Sequence, residues 1–274
     1  MRFVRYGEKG AEKPGFLDES GQLRDLSGQI ADLGGDVLSD LAALNADGPV
    51  VTGNPRLGMP IARPGKVVCI GRNYKEHASE MGGEVPEEPL IFMKATSSLQ
   101  GPNDPVIYPK GGQSVDYEIE LAVVIGKAAK HVSEAEALSH VAGYMTFNDM
   151  TERVFQKQRG GQWTKGKSCD TFGPMGPYLV TADELGDPQA LDLRLSVNGE
   201  LRQSSNTGMM IFSVAALIAH LSEFFTLEVG DVIATGTPAG VAAGMKPPQF
   251  LQVGDEVSCS VGPLGEQRFQ IVAG

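Results

Sequence analysis

Three carboxylates alternate with bulky residues in the segment SVDYEIELAVVIG, residues 114–126. If the segment is one strand, Asp116, Glu118 and Glu120 share a face, because side chains two positions apart lie on the same side, about 6.6 Å from each other. The apolar run 121–125 that follows predicts burial on both faces. Buried carboxylates need a cationic partner, and a divalent metal suits carboxylate oxygens. The segment alone leaves two interpretations open, a metal site or a solvated acidic face.

A candidate acid–base pair lies in GRNYKEHASE, residues 71–80. His77 and Glu80 are three positions apart, and such residues are neighbours on a helix. A carboxylate beside an imidazole fixes the tautomer of the ring and raises its basicity, which suits a general base for water. The alternative interpretation is a surface salt link on a charged helix.

Two further segments carry polar residues with more than one interpretation. In NDMTERVFQ, the side chains of Asp149, Arg153 and Gln156 lie on one face if Asp149 begins a helix. Alternatively, Asp149 is the N-cap of a solvated helix. In WTKGKSCDTFGP, Lys165 and Lys167 are either groups that polarise an oxyanion or exposed loop lysines.

The glycine-rich loop GTPAG, residues 236–240, resembles a phosphate-binding loop only faintly. It lacks the lysine and Ser/Thr ending of a P-loop, which argues against nucleotide binding. Its hydroxyl and backbone N–H groups suit the binding of a carboxylate.

The elements that would position these groups are mainly short strands. The chain has 274 residues with 35 Gly and 17 Pro, a composition typical of many turns. Helices are predicted over 37–46, over 133–141 with Ser133 as N-cap, and over 214–225. The many strands and few helices predict an α+β, mostly β fold, either a sandwich or a rolled barrel.

The Pro/Gly-rich passage NPRLGMPIARPGK marks a candidate domain boundary. We therefore expect a small N-terminal α/β domain over residues 1–60. The remaining residues, 61–274, form the predicted catalytic domain.

Charge and cysteine usage limit the class of protein. The formal net charge of −11 argues against nucleic acids and against anionic membrane surfaces as partners. Cys69, Cys169 and Cys259 lie far apart without a CxxC spacing, which predicts reduced thiols in a cytoplasmic protein. No stretch reaches the roughly 18 apolar residues of a membrane span, and MRFVRYGEKG lacks an apolar signal core. We expect a cytoplasmic enzyme or binding protein.

Taken together, five segments over residues 66–241 resemble the fumarylacetoacetate hydrolase superfamily: GRNYKEHASEMG, DYEIELAVVIG, FNDMTERVFQ, KGKSCDTFGP and GDVIATGTPAGV. The resemblance implies a rolled, mixed β-sandwich that forms a homodimer. The ligands of Mg²⁺ or Mn²⁺ that it implies are Glu118, Glu120 and Asp149. The catalytic residues that the resemblance implies are His77, Glu80, Lys167 and Gln156. The substrate-binding residues that it implies are Arg72, Tyr74, Arg153 and Thr237. Asp116 would support the metal ligands.

The resemblance also implies a reaction. The expected activity is metal-dependent hydrolysis of the C3–C4 bond of a 2,4-diketo acid, an acylpyruvate, to pyruvate and a carboxylic acid. Bacterial sugar-acid enzymes of the family suggest 2,4-diketo-3-deoxy-L-rhamnonate or -fuconate as substrate. His77, oriented by Glu80, would take a proton from water, and Lys167 and Gln156 would stabilise the oxyanion. The alternatives are an oxaloacetate decarboxylase, a ureidoglycolate lyase-like enzyme and a non-catalytic binder of 2-oxo acids.

Overall fold

The computed structural model describes residues 1–45 and 48–274, which contain many short strands and a few short helices. The strands are β1 (Arg2–Tyr6), β2 (Lys13–Leu17), β3 (Leu23–Asp25), β4 (Val67–Gly71), β5 (Leu90–Lys94), β6 (Leu99–Gln100), β7 (Val106–Tyr108), β8 (Val115–Asp116), β9 (Ile119–Ile125), β10 (Val141–Asn148), β11 (Thr151–Glu152), β12 (Gly173–Pro174), β13 (Leu179–Thr181), β14 (Asp192–Val197), β15 (Glu200–Asn206), β16 (Val232–Ala234), β17 (Glu256–Val261) and β18 (Glu266–Ala273). The α-helices are α1 (Lys75–Glu80), α2 (Glu134–Ala137), α3 (Arg153–Lys157), α4 (Thr164–Lys167), α5 (Ala182–Leu185) and α6 (Val214–Phe224).

Two large sheets dominate the fold. One has nine strands in the order β3-β2-β1-β13-β10-β9-β16-β4-β5, and the other has five in the order β15-β14-β17-β18-β7. Most neighbouring strands are antiparallel, whereas β16 and β4 pair in parallel, as do β18 and β7. This architecture confirms the predicted α+β, mostly β fold with mixed sheets.

Strand β9 lies inside the nine-stranded sheet, between β10 and β16, and is buried on both faces. Leu121, Val123 and Ile125 point into the larger core, which also contains side chains of the five-stranded sheet. Ala122 and Val124 point into a second core, which includes side chains from the N-terminal segment. The apolar run therefore packs as its composition predicts, because a strand covered on both sides needs no polar face.

The predicted single strand over 115–125 is interrupted at Tyr117 and Glu118. The Tyr117 N–H donates to Asp116 Oδ1 at 2.9 Å, and the Glu118 N–H donates to Asn148 Oδ1 at 3.0 Å. Side-chain acceptors thus replace the strand ladder at these two residues. Glu118 lies between two strands with different partners, since β8 pairs with β11 whereas β9 pairs with β10 and β16.

The N-terminal strands continue the nine-stranded sheet. β1 pairs with β2 on one side and with β13 on the other. The division of the chain into 1–60 and 61–274 stays a prediction.

The helix predicted over 37–46 is wrong in type. The chain forms two 3₁₀ turns, Gly35–Ser39 and Leu41–Ala43, and Asp40 between them has φ −147° and ψ 63°. Leu38 and Leu41 are buried. The spacing of these leucines therefore reflects their packing in the core, although the segment does not form an α-helix. The last predicted position, Ala46, lies outside the described residues.

The helix predicted over 214–225 is confirmed, whereas the helix predicted over 133–141 is confirmed only in its first half, because Leu138–His140 form a 3₁₀ turn. Ser133 caps α2 in a capping box with Glu136, and the long α6 buries Leu217, Ile218 and Leu221. Within residues 1–45 and 48–274, no helix combines the length and the apolar character that crossing a membrane requires.

Gly143 is required by the pairing of β10 with β13. A Cβ at this position would overlap the backbone oxygen of Val180 on the neighbouring strand. Backbone cannot move aside as a side-chain end does, so we expect Gly143→Ala to lower the free energy of unfolding by about 1–3 kcal/mol. Urea denaturation measures the change, with Gly28→Ala as the matched control, because a Cβ there meets nothing within 4 Å. Equal stabilities of the two variants would contradict the packing account.

Candidate active site

A narrow cleft opens where β4, β5 and β9 meet α1, α3 and α4. Its lining residues are Ile70, Gly71, Arg72, His77, Met81, Phe92, Glu118, Glu120, Arg153, Gln156, Lys157, Trp163, Lys167 and Thr237. Most of the site residues that the sequence predicts thus come together in one place. Glu80, Asp149 and Tyr74 lie outside this lining set.

Three buried carboxylates, one on β9 and the other two just before β9 and just after β10, come together at the site. Glu118, Glu120 and Asp149 each offer an oxygen within 4.8 Å of the others. Glu120 lies on β9 opposite Phe147 of β10, and the Asp149 N–H donates to the Glu118 backbone oxygen at 2.8 Å. The pairing of β9 with β10 therefore brings residues 29 positions apart in the sequence to a common centre.

Two predicted cations pair with this group. The Arg153 guanidinium donates to Asp116 at 2.8 Å and to Glu118 Oε1 at 2.6 Å. Lys167 Nζ donates to Asp149 Oδ2 at 2.5 Å and also to Glu118 Oε2. Lys167 is buried, so it is not an exposed loop lysine, whereas Lys165 is bonded in an exposed position to the Arg159 backbone oxygen.

A third cation, Lys94, was missed by sequence reasoning. It ends the strand LIFMK, where a lysine is typical of an exposed strand end, yet its side chain is fully buried. Lys94 Nζ donates to Asp149 Oδ1 at 2.7 Å and to the Met150 backbone oxygen at 3.2 Å. It also donates to the Lys167 backbone oxygen and thereby ties α4 to the carboxylate group.

The carboxylates differ in how well their charge is compensated. Burial would raise the pKa of Glu118, but Lys167 and Arg153 outweigh it and lower that pKa to about 2. Burial raises the pKa of Glu120 well above its ordinary value, and the neighbouring Asp149 and Glu118 add to the effect.

Glu120 is the carboxylate without a cation among the contacts of the described residues. It accepts one hydrogen bond, from the Gly236 N–H at 2.8 Å. A buried carboxylate is costly unless a cation compensates it. Three converging carboxylates with one charge uncompensated fit a hard divalent cation such as Mg²⁺ or Mn²⁺.

The predicted acid–base pair lies beside the carboxylates and is not a surface link. His77 on α1 is 6% exposed and lines the cleft. Its Nδ1 lies 3.4 Å from Glu80 Oε2. The Glu80 carboxylate also accepts from the Gly240 N–H at 3.0 and 3.2 Å. This arrangement would hold a proton on Nδ1 and leave Nε2 as the basic nitrogen.

Helix α3 begins later than the sequence suggests. Its N-cap is Glu152, whose carboxylate accepts from the Phe155 N–H at 2.5 Å, so the prediction of Asp149 as N-cap or first residue is wrong. Gln156 is buried, and its Oε1 accepts from Arg153 at 3.2 Å. Gln156 lines the cleft, and none of the hydrogen bonds between described residues uses its amide N–H groups.

The remaining predicted substrate contacts differ in their surroundings. Thr237 lines the cleft, but its hydroxyl donates to the Ile119 backbone oxygen at 2.9 Å and accepts from Gln203 at 2.8 Å. Arg72 lines the cleft with its backbone in the left-handed region at φ 58°. Tyr74 is buried in the main core, and its hydroxyl has no partner among the described residues.

Arg153 should matter for stability as well as for chemistry. Its removal by Arg153→Met would leave Asp116 and Glu118 buried with less positive charge, which should cost about 3–5 kcal/mol of unfolding free energy. Arg153→Lys should cost less, because it keeps the charge but loses the planar fork. Urea denaturation measures both, beside the exposed control Arg194→Met. A loss below about 1 kcal/mol for Arg153→Met would contradict this role.

Comparisons with known proteins give the family context. A family model described as Fumarylacetoacetate (FAA) hydrolase C-terminal matches residues 66–272. The chain is 52% identical to 2,4-didehydro-3-deoxy-L-rhamnonate hydrolase of Sphingomonas sp. (strain SKA58), with 99% of this chain and 96% of that protein covered.

Several solved structures align with the whole of this chain. The fumarylacetoacetate hydrolase from psychrophilic Exiguobacterium antarcticum has a TM-score of 0.89 and 38% identity, with 100% of each chain covered. The 2-hydroxyhepta-2,4-diene-1,7-dioate isomerase from Mycobacterium marinum has a TM-score of 0.76 and 34% identity, with 98% of its chain covered.

Proposed function

The chain is an enzyme that belongs to the fumarylacetoacetate hydrolase family, and from this membership we propose that it hydrolyses the C3–C4 bond of an acylpyruvate. The products are pyruvate and a carboxylic acid. The observation that carries the proposal is that three converging carboxylates, the His77–Glu80 pair and the amide of Gln156 come together at one cleft, with His77 buried.

Glu118, Glu120 and Asp149 are the proposed ligands of a divalent metal, Mg²⁺ or Mn²⁺. When bound, such a metal acts as a Lewis acid and as a template for the carboxylate and 2-oxo oxygens of the substrate. Lys94, Arg153 and Lys167 keep the carboxylates oriented and offset their mutual repulsion.

His77 is the proposed general base. Its ring takes a proton from water, and the resulting hydroxide attacks the C4 carbonyl carbon of the substrate. Glu80 keeps the ring oriented and stabilises the charge that the ring gains. The C3–C4 bond then breaks, its electron pair stays on C3, and the proton held by His77 returns to C3 to complete pyruvate.

Gln156 is the proposed donor to the oxyanion that forms at C4. Its amide N–H groups are not used by the contacts of the described residues, and one such donor is worth about 3–4 kcal/mol of transition-state stabilisation. The Nζ of Lys167, which the sequence also suggested as a donor, gives its hydrogen bonds among the described residues to Glu118 and Asp149. We therefore assign Lys167 to the support of the carboxylates and to the local positive charge.

The acyl substituent is proposed to be an oxygen-rich sugar-acid chain, as in 2,4-diketo-3-deoxy-L-rhamnonate or -fuconate. The name of the Sphingomonas relative supports this choice. Two cations without a carboxylate partner among the described contacts, Arg72 and Lys157, also line the cleft and suit hydroxyl or carboxylate oxygens. Burial lowers the pKa of Lys157, and Arg153 and Arg72 add to this, which supports a cluster of positive charge.

A panel assay tests the proposed function. EDTA-treated protein is assayed with acetylpyruvate, a 2,4-diketo-3-deoxy sugar acid and oxaloacetate, before and after Mg²⁺ or Mn²⁺ is restored. We expect metal-dependent release of pyruvate from the diketo acids, fastest from the sugar acid. Metal-dependent binding without turnover of any diketo acid would contradict the proposal and favour a binding protein.

The assembly and compartment are part of the proposal. We propose a cytoplasmic homodimer that acts on a small 2-oxo or 2,4-dioxo acid, without nucleic acid or membrane partners. Free thiols at Cys69, Cys169 and Cys259 support a reducing compartment. Sedimentation analysis of the purified protein would test the dimer.

A further inference from the structure

The loop from Gly236 to Gly244 holds three carboxylates with its backbone amides. The contacts are Gly236 N–H to Glu120 at 2.8 Å, Gly240 N–H to Glu80 at 3.0 Å, and Ala242 N–H to Asp116 at 2.8 Å. Glu120 is a proposed metal ligand, Glu80 orients His77, and Asp116 is a partner of Arg153. One loop therefore sets the geometry of three parts of the site.

Gly244, at the end of this loop, has no backbone reason to be glycine. Its φ lies outside the left-handed region, so an alanine could adopt the same backbone conformation. The space above its Cα is filled by another side chain instead. A Cβ on residue 244 would overlap Cγ, Cδ and Oε1 of Glu80, well inside the 3.4–4 Å of ordinary contact.

We propose that Gly244 is a positioning residue for the general base: its missing side chain leaves the space in which the Glu80 carboxylate reaches both the Gly240 N–H and His77 Nδ1. The inference rests on the proposed function in one respect, the role of His77 as base. The inference adds that the loop after Thr237 determines the position of Glu80, which orients His77.

The effect of Gly244→Ala depends on whether the Glu80 side chain or the loop backbone moves to make room for the new Cβ. The overlapping atoms belong to the end of a flexible side chain, and the Glu80 side chain is 18% exposed. Glu80 can therefore turn toward solvent while the loop backbone stays in place. The variant should fold normally and lose the Glu80–His77 contact.

The kinetic test compares Gly244→Ala with the wild-type protein. We expect kcat for acylpyruvate hydrolysis to fall about 10- to 100-fold, a part of the 10²–10⁴-fold effect of general base catalysis, with KM changed less than about twofold. The melting temperature should stay close to that of Gly28→Ala, where a Cβ meets nothing within 4 Å. A wild-type kcat in Gly244→Ala would overturn the inference.

A double-variant cycle separates positioning from a general structural effect. Glu80→Ala removes the atoms that the new Cβ would meet, so adding Gly244→Ala should change kcat less than about twofold. If the two losses multiply instead, Gly244 acts elsewhere and the inference is wrong.

A spectroscopic measurement keeps this inference separate from the proposed function. ¹⁵N NMR of the four histidines, with His77→Ala to assign the signals, reports the tautomer of His77. We expect a fixed Nδ1–H tautomer in the wild-type protein and a mixture in Gly244→Ala. If no diketo acid is hydrolysed but the tautomer shifts, the proposed function fails and the positioning role stands. An unchanged tautomer overturns the positioning role.

Discussion

Replacing Glu118 by Gln should reduce kcat/KM for acylpyruvate hydrolysis by roughly 10³-fold or more, or about 4 kcal/mol of transition-state stabilisation. The amide keeps the size of the side chain but loses the charge that it contributes to the carboxylate group. Metal affinity, measured by calorimetry, should fall at least about 100-fold, because even the loss of an outer partner of a metal ligand costs 10–100-fold.

Folding must be checked in the same experiment, since Glu118 also accepts from Arg153 and Lys167. Both cations retain a second carboxylate, Asp116 and Asp149 respectively, so the variant should remain folded by circular dichroism. Glu223→Gln changes an exposed carboxylate in the same way and should leave activity intact. Unaltered turnover in Glu118→Gln would remove the basis of the proposed chemistry.

Removing the proposed base by His77→Ala should separate two reactions. Acylpyruvate hydrolysis should fall about 10²–10⁴-fold, because it needs a proton taken from water. Oxaloacetate decarboxylation needs no attacking water, so any such activity should stay within a few-fold of its wild-type value. Parallel assays of pyruvate release from the two substrates measure the separation.

The control for this experiment is another histidine away from the cleft. His220 lies on α6, where its ring packs edge-on against Phe224, and His220→Ala should leave both reactions unchanged. Equal losses of both activities in His77→Ala would point to a role in binding. Hydrolysis that survives intact would show that another group is the base.

Local sequence patterns predicted the parts of the site that depend on local geometry. The spacing of His77 and Glu80 places them together as soon as residues 75–80 form a helix, which they do. The apolar run after Glu120 predicts a strand buried on both faces, and β9 is such a strand. These features need only the periods of helix and strand.

Long-range contacts were not predictable in the same way. Lys94 looks like the exposed end of a strand until Asp149, 55 positions later, is known to lie beside it. The role of Asp116 depends on its hydrogen bonds with Arg153 and with the backbone amides of Ala242 and Ala243. These two alanines lie about 126 positions further along the sequence. The break at Tyr117 and Glu118 likewise depends on Asn148, which no period of the strand reveals.

The fold explains why such distant residues meet. The pairing of β9 with β10 brings Glu118 and Glu120 close to Asp149. β16 pairs with β9 and is followed by the Gly236–Gly244 loop, which therefore lies beside these carboxylates. α1 follows β4, which pairs with β16, and His77 of α1 therefore lines the same cleft. The nine-stranded sheet thus supports groups from several segments of the chain.

Anomalous diffraction from crystals of Mn²⁺-loaded protein would show whether the three carboxylates hold a metal ion. We expect one peak per chain, with an oxygen of Glu118, of Glu120 and of Asp149 each about 2.0–2.3 Å away. A peak bound by other residues, or carboxylates that hold no ion while the enzyme is fully active, would contradict the proposed metal site.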